Sequence, residues 1–234
     1  MKKILITFGI VICLICGGFF AYVNDYYHAD ISDTVMTSTD KIIVEETDDY
    51  ISFISKEADT GFIFYPGGKV EAESYVPLMK ECANKGISSI LVKMPFNLAV
   101  FNIDGADGLQ GKYDIEHWYI GGHSLGGSMA ASYVSKHVDD YDGLILLAAY
   151  STEDLSNTDL NVISIYGSND QVLSLDKYEN NKINLPADYN EYIIEGGNHA
   201  CFGSYGKQDG DGEASITGEE QVSMTVKYIL ENIR

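Results

Sequence analysis

A short run in the middle of this chain, Gly121-Gly122-His123-Ser124-Leu125-Gly126-Gly127, leaves little freedom in how its neighbours fold. Glycines stand two residues before and two after a serine, the spacing required where a strand turns abruptly into a helix and β-carbons have no room. Upstream, His117-Trp118-Tyr119-Ile120 reads as a short buried strand. Downstream, Ser128 to His137 carries Ala130, Ala131 and Ser132, small enough for a helix to pack closely on a sheet. The turn holds Ser124 at its apex in a strained conformation, which makes it the candidate nucleophile. The helix then begins with free N–H groups and the positive end of its dipole aimed where an attacked carbonyl develops negative charge. The Leu125 N–H is the first candidate oxyanion donor.

A serine hydroxyl needs a base to take its proton, and in this strand-turn-helix arrangement the acid and then the histidine follow the serine along the chain. Of the five histidines, His28, His117 and His123 precede Ser124 and His137 sits late on the following helix. His199 remains, in Glu195-Gly196-Gly197-Asn198-His199, a loop just after the strand-like Tyr192-Ile193-Ile194. The acid that orients it is Asp170, in the turn Gly167-Ser168-Asn169-Asp170 after the apolar strand Val162 to Tyr166. Asp154, one strand earlier, is the rival. A second oxyanion donor belongs in the loop after an early central strand. Gly61 to Tyr65 is such a strand, and Pro66-Gly67-Gly68-Lys69 follows it, so the donor is the Gly68 N–H or that of Lys69 one residue on.

With 234 residues and 45% hydrophobic composition, the chain is sized for one catalytic domain. Ahead of it, Ile4 to Val23 carries no charge, follows Lys2 and Lys3, and precedes Asp25, Asp30 and Asp33. That pattern predicts an uncleaved membrane anchor over residues 1–23, N-terminus inside, with the domain outside the cell membrane. Secretion after signal cleavage is the alternative. Residues 24–40 read as a polar tether and 41–234 as the catalytic domain.

Alternating patterns predict strands at Lys41–Glu46, Tyr50–Ser55, Gly61–Tyr65 and Ser88–Met94, and later at Gly143–Leu147, Asn161–Tyr166 and Glu191–Ile194. Helices are expected at Glu71–Lys85, near Asp104–Tyr113, after Ser124, near Leu175–Lys182 and at Gly218–Ile233. The last opens on a capping box, Thr217 with Glu220. The fold class is α/β, a mostly parallel central sheet with helices on both faces.

A net charge of −20, from 35 acidic and 15 basic residues, excludes nucleic acid as a partner of the folded domain. Cys82 and Cys201 are expected as free thiols. The acidic run Asp209-Gly210-Asp211-Gly212-Glu213 has some calcium-loop character, but Ala214 stands where an EF-hand loop needs glycine and no helix precedes it. Neither a metal nor a cofactor is expected.

With Ser124, Asp170 and His199 in place, the chain resembles the α/β-hydrolase superfamily, and within it a compact bacterial α/β-hydrolase fold-5 group. The likeness rests on Tyr65-Pro66-Gly67-Gly68, on Gly121 to Ala130, on Tyr166 to Asp170 and on Gly196 to Glu213. It implies the hydrolase fold, the Ser-Asp-His triad and an active-site rim that includes Phe202 and Tyr205, with Lys69 beside it.

Only about a dozen residues, Tyr150 to Leu160, separate two consecutive strands after the elbow helix, too few for a lid domain. The expected activity is hydrolysis of a carboxylic ester, small or attached to a polymer, through an acyl-serine intermediate. An acyltransferase, a peptidase and an inactive binding module on the same fold remain alternatives.

Overall fold

Near-continuous apolar runs such as Thr60–Tyr65, Ile87–Val92 and Gly143–Leu147 bury every residue and form strands covered on both faces. The computed structural model describes residues 2–32 and 36–233, with side chains described from Thr7 onward apart from residue 9. Eight strands make one sheet: β1 (Ile42–Glu46), β2 (Tyr50–Ser55), β3 (Thr60–Tyr65), β4 (Ile87–Val92), β5 (His117–His123), β6 (Gly143–Leu147), β7 (Asn161–Gly167) and β8 (Asn190–Ile194). Their order is β1-β2-β4-β3-β5-β6-β7-β8. β1 pairs antiparallel with β2 and β2 with β4, whereas every pairing from β4 to β8 is parallel.

Five α-helices accompany the sheet: α1 (Lys2–Asn24), α2 (Val76–Asn84), α3 (Leu125–Val134), α4 (Leu175–Asn181) and α5 (Gly218–Leu230). Strand alternation sorts the core into two layers. Phe62, Phe64, Ile145 and Leu147 pack with Met79, Cys82, Val226 and Ile229 of α2 and α5. Ile63, Tyr65, Leu144 and Leu146 pack with Ala130, Ala131 and Val134 of α3.

The chain leaves β3 toward β4 on one side and returns to β5 on the other, so strand order reverses at β3. The crevice beyond the carboxyl ends of β3 and β5 is where such sheets place ligands. At that point α3 comes close to β3: a β-carbon on Gly126 would overlap the carbonyl oxygens of Tyr65 and Pro66.

Two expected helices take other forms. The stretch near Asp104–Tyr113 is a series of turns ending in a 3-10 turn at Gln110–Lys112. Gly108 sits at φ +71°, and the Tyr65 hydroxyl organises the segment by donating to Ile103 O at 2.6 Å and accepting from Ala106 N at 2.9 Å. The helix expected from Glu71 opens with a 3-10 turn at Ala72–Tyr75, and α2 proper begins at Val76 with Pro77 in its first turn. The capping box at α5 is present, Glu220 N donating to Thr217 Oγ1 at 3.1 Å and Thr217 N to Glu220 Oε2 at 2.7 Å. Residues 148–160, between β6 and β7, hold no helix or strand.

The N-terminal expectation requires correction. Among the described residues no helix is long and apolar enough to cross a membrane. The end of α1 is turned to protein: Phe19 meets the rings of Phe96 and Phe101 at 5.5 and 6.1 Å, and Val23 is buried. The expected anchor and the cell-membrane location built on it are overturned: a count of uncharged residues does not by itself make a span, and only the end of α1, at Phe19 and Val23, meets the domain while Ile10 to Tyr22 stay exposed.

The start of the expected tether is docked as well. Tyr27 N donates to Lys69 O at 2.8 Å and Glu71 N to Tyr27 O at 2.9 Å, while Asp30 N reaches Ser204 O at 2.7 Å. Residues 33–35 lie outside the described residues.

Gly126→Ala is expected to destabilise the protein by about 2–3 kcal/mol through overpacking against the β3 carbonyls, read as a Tm lower by roughly 5–10 °C. An unchanged Tm would show that α3 can move off β3 freely.

Candidate active site

Where β5 runs into α3, Ser124 adopts φ 52° and ψ −122°, a conformation that costs a non-glycine residue roughly 1–3 kcal/mol and persists only where its surroundings enforce it. Two backbone bonds enforce it here. Ser124 N donates to Leu147 O on β6 at 2.9 Å, and Ser124 O accepts from Ser128 N at 3.1 Å as α3 begins. The side chain is left half-buried at the floor of a cleft of about 290 Å³. His199 lines the same cleft, as do Leu125, Ala148, Tyr150 and Leu173.

Asp170 stands three residues past the end of β7 and is buried. Its Oδ1 accepts from the N–H groups of Val172 at 2.9 Å and Leu173 at 2.8 Å, which fixes the carboxylate, and its Oδ2 lies 2.8 Å from His199 Nδ1. A carboxylate only accepts, so Nδ1 carries the ring proton and Nε2 is the imidazole's acceptor. The rival Asp154 is far more exposed and is engaged with Ser156 N and Oγ at 3.0 and 2.6 Å, bonds that hold its pKa below the usual carboxylate value.

In the loop after β3 the neighbouring N–H groups differ in what they bond. Lys69 N donates to Asn97 O at 2.8 Å and Gly67 N to the Tyr75 hydroxyl at 3.1 Å, so both are engaged. Gly68 packs directly against Leu125: a β-carbon there would fall 2.8 Å from Leu125 Cδ2. Leu125 is the first residue of α3, and its N–H has no intrahelical acceptor. The structure therefore sets Gly68 against Leu125, the residue after Ser124, while Ser124 and Leu125 both line the cleft.

It does not bring the expected rim there. Phe202 is fully buried with its ring 5.5 Å from that of His123, and Tyr205 is buried between Tyr27 and Tyr75. Both fill the core beneath the loop, so their assignment as substrate contacts is corrected. Aromatic side chains in a glycine-rich loop are driven under it by the hydrophobic effect, whatever the sequence position suggests. Lys69 points away to Asp25, 2.8 Å from its Nζ, with the Tyr22 ring 4.7 Å off. Cys82 and Cys201 are free, the first fully buried with its thiol pushed up to about 12 by burial.

Several supporting residues escape a sequence reading because their partners are distant in the chain. Asp211, in the acidic run, ties the loops of both nominated partners together. It accepts from Ala200 N at 2.9 Å, just after His199, and from Gln171 N at 3.2 Å, just after Asp170. Buried Gln221 of α5 clasps Asn198, accepting from its N at 3.0 Å and donating to its O at 2.8 Å. The acidic run thus has a structural use in tying these two loops together.

His123, inside the elbow, is buried with its ring centroid 4.3 Å from that of His199. Because Gly67 N–H donates to the Tyr75 oxygen, the Tyr75 O–H is free to donate to His123 Nδ1 at 2.8 Å. Burial, with repulsion from His199 behind it, holds the His123 pKa well below 6.5, so the ring is neutral. The one legible signal for this role was its place between Gly122 and Ser124.

Two outcomes follow from these supports. A histidine neutral in the fold but protonated in the unfolded chain stabilises the fold fully above pH 6.5. That stability is lost as pH falls below the unfolded value. Denaturant midpoints are expected to drop between pH 7.5 and 5.5, and to drop less in His123→Asn; equal slopes would refute the assignment. Asp211→Asn places an amide donor against backbone donors. It is expected to cost about 1–2 kcal/mol in loop alignment and to slow modification of Ser124 roughly tenfold without loss of secondary structure by circular dichroism.

The comparisons with known proteins agree with this architecture. A predicted CIB-like hydrolase from Thermoplasma acidophilum is 14% identical with a TM-score of 0.61, over 81% of this chain and 99% of that one. Est1E from Butyrivibrio proteoclasticus is 13% identical with a TM-score of 0.60, over 82% and 98%. A dienelactone hydrolase from Anabaena variabilis is 10% identical with a TM-score of 0.62, over 83% and 100%. At these identities the likeness is one of fold. A search of curated proteins finds no match. The family model described as alpha/beta hydrolase family matches residues 61–223, from the second residue of β3 into α5, and the chain therefore belongs to the alpha/beta hydrolase family.

Proposed function

We propose that this hydrolase cleaves carboxylic esters through an acyl-serine intermediate, with Ser124 as nucleophile, His199 as base and Asp170 as its orienting acid. The observation that carries the reading is the buried 2.8 Å contact between Asp170 and His199, set in the same cleft as a serine held at φ 52°. His199 Nε2 takes the Ser124 proton as Oγ bonds to the ester carbonyl carbon, and the negative charge that forms on the carbonyl oxygen is met by the Leu125 and Gly68 N–H groups. Collapse of that intermediate breaks the bond to the alcohol oxygen, which leaves with the proton from His199. Water then attacks the acyl-serine by the same route, giving the acid and free Ser124.

The site's shape supports an ester of modest size or one at the end of something larger. Residues 148–160 form no covering element, so the cleft opens directly to solvent, and domain movement is not needed to admit substrate.

Treating the full chain with a fluorophosphonate is expected to add a single adduct by intact mass. The adduct is expected to be absent in Ser124→Ala and to form about 10²–10⁴-fold more slowly in His199→Ala. A folded parent that takes no adduct would overturn the enzymatic reading and leave a binding module on a hydrolase fold.

A further inference from the structure

The cleft that holds Ser124 and His199 has a charge character opposite to that of the molecule. The chain carries a net charge of −20. Yet among the described residues no carboxylate lines this cleft, and its wall carries one ammonium group, Lys177 of α4. Several other surface cations are paired with carboxylates: Lys69 with Asp25, Lys93 with Glu46 and Glu73, Lys182 with Glu179 and Glu191.

Lys177 is exposed and forms no ion pair among the described residues. The carboxylates around it are committed or turned aside. Glu179 on its own helix is taken by Lys182 at 2.8 Å, Asp170 by His199 and two backbone N–H groups, and Asp176, adjacent in sequence, projects from a different side of the helix. An acidic protein repels anions at a distance, so a site meant for a neutral ester has no use for a free ammonium beside its nucleophile. A site meant for an anionic one needs a local cation to offset the repulsion.

We propose that Lys177 is a substrate-recognition residue that pairs with a carboxylate on the ester, so that the enzyme prefers esters bearing a negative charge on the acyl or the alcohol part. This rests on the ester-hydrolase reading above. The same cleft is lined by Leu173, Val172, Ala148 and Tyr150, which suit a short apolar or aromatic spacer on the ester. Lys177 acts on binding alone, since proton transfer and oxyanion stabilisation belong to other groups.

The test compares KM and kcat for matched probes on the full chain. Mono-4-nitrophenyl glutarate against 4-nitrophenyl valerate places the charge on the acyl side, and 4-acetoxybenzoate against phenyl acetate places it on the alcohol side. For one anionic probe, Lys177→Ala is expected to raise KM about three- to fivefold, the worth of an exposed ion pair. Lys177→Glu is expected to raise it further, and Lys177→Arg to restore it, with kcat and the neutral partner unchanged. The ratio of variant to wild-type KM is expected to shrink toward 1 in about 1 M salt, where the screening length falls to roughly 3 Å.

Equal effects on charged and neutral esters, or none on either, would overturn the proposal while leaving the hydrolase reading intact. Failure of the wild type to turn over any of the esters would instead overturn the parent reading, and this proposal with it.

Discussion

The close approach of α3 to the end of β3 is the constraint on which the site depends. Gly126 lies so near the Tyr65 and Pro66 carbonyls that no side chain fits between them. That contact turns the chain sharply at Ser124, forces its positive φ, and sets the first N–H of α3 beside the loop that follows β3. The proposed nucleophile and the proposed oxyanion donors therefore come from one packing decision, made where strand order reverses in a parallel sheet. The strain at Ser124 is tolerable because β5, β6 and the first turn of α3 hold the residue from three directions.

The opposite wall of the site is built from loops, and loops need bonds to be as rigid as strands. Asp170 and His199 sit on different loops, after β7 and β8, whose strands pair in register at Gly167 and Ile194. Their 2.8 Å contact is kept by a second tier. Asp211 holds the residue after each, and Gln221 holds the residue before His199 on both its N–H and its C=O. Charge-assisted bonds to backbone N–H groups are among the stronger ones available to a folded chain. An acidic loop that reads as solvent-facing decoration is in this way part of the alignment.

Electrostatics divides the molecule into regions with different tasks. Acidic side chains outnumber basic ones, and several lysines are paired to carboxylates. Beside His199, His123 is kept neutral by burial, so it adds no second positive charge opposing the imidazolium that the proposed mechanism forms on His199. At the mouth, Lys177 faces a cleft without carboxylates. Lysines on the same protein thus sit in different settings, several paired to carboxylates and Lys177 in the cleft lining.

Much of this was legible in the residues themselves. Ser124 and its flanking glycines, the apolar strand runs, and Asp170 and His199 as loop residues beyond strands all follow from local rules: sterics at Cβ, hydrophobic periodicity and turn chemistry act over a few residues. Its place in a turn just past an apolar strand ranked Asp170 over Asp154, and in the structure Asp170 lies 2.8 Å from His199 while Asp154 is engaged with Ser156.

What local rules do not contain is which distant surfaces meet. The apolar N-terminal run was read as facing lipid, whereas its end packs on Phe96 and Phe101. Phe202 and Tyr205 were read as rim and lie in the core. Three glycines and the Tyr65 hydroxyl turned an expected helix near Asp104–Tyr113 into turns. The Gly68 N–H is distinguished from that of Lys69 only by Asn97, twenty-eight residues further on. The sequence by itself determined the strands, the elbow and the chemical types of the site, because those depend on near neighbours. Only the tertiary structure decided what supports the site and what faces the substrate, because hydrogen-bond partners and buried contacts are set by packing between segments far apart in the chain.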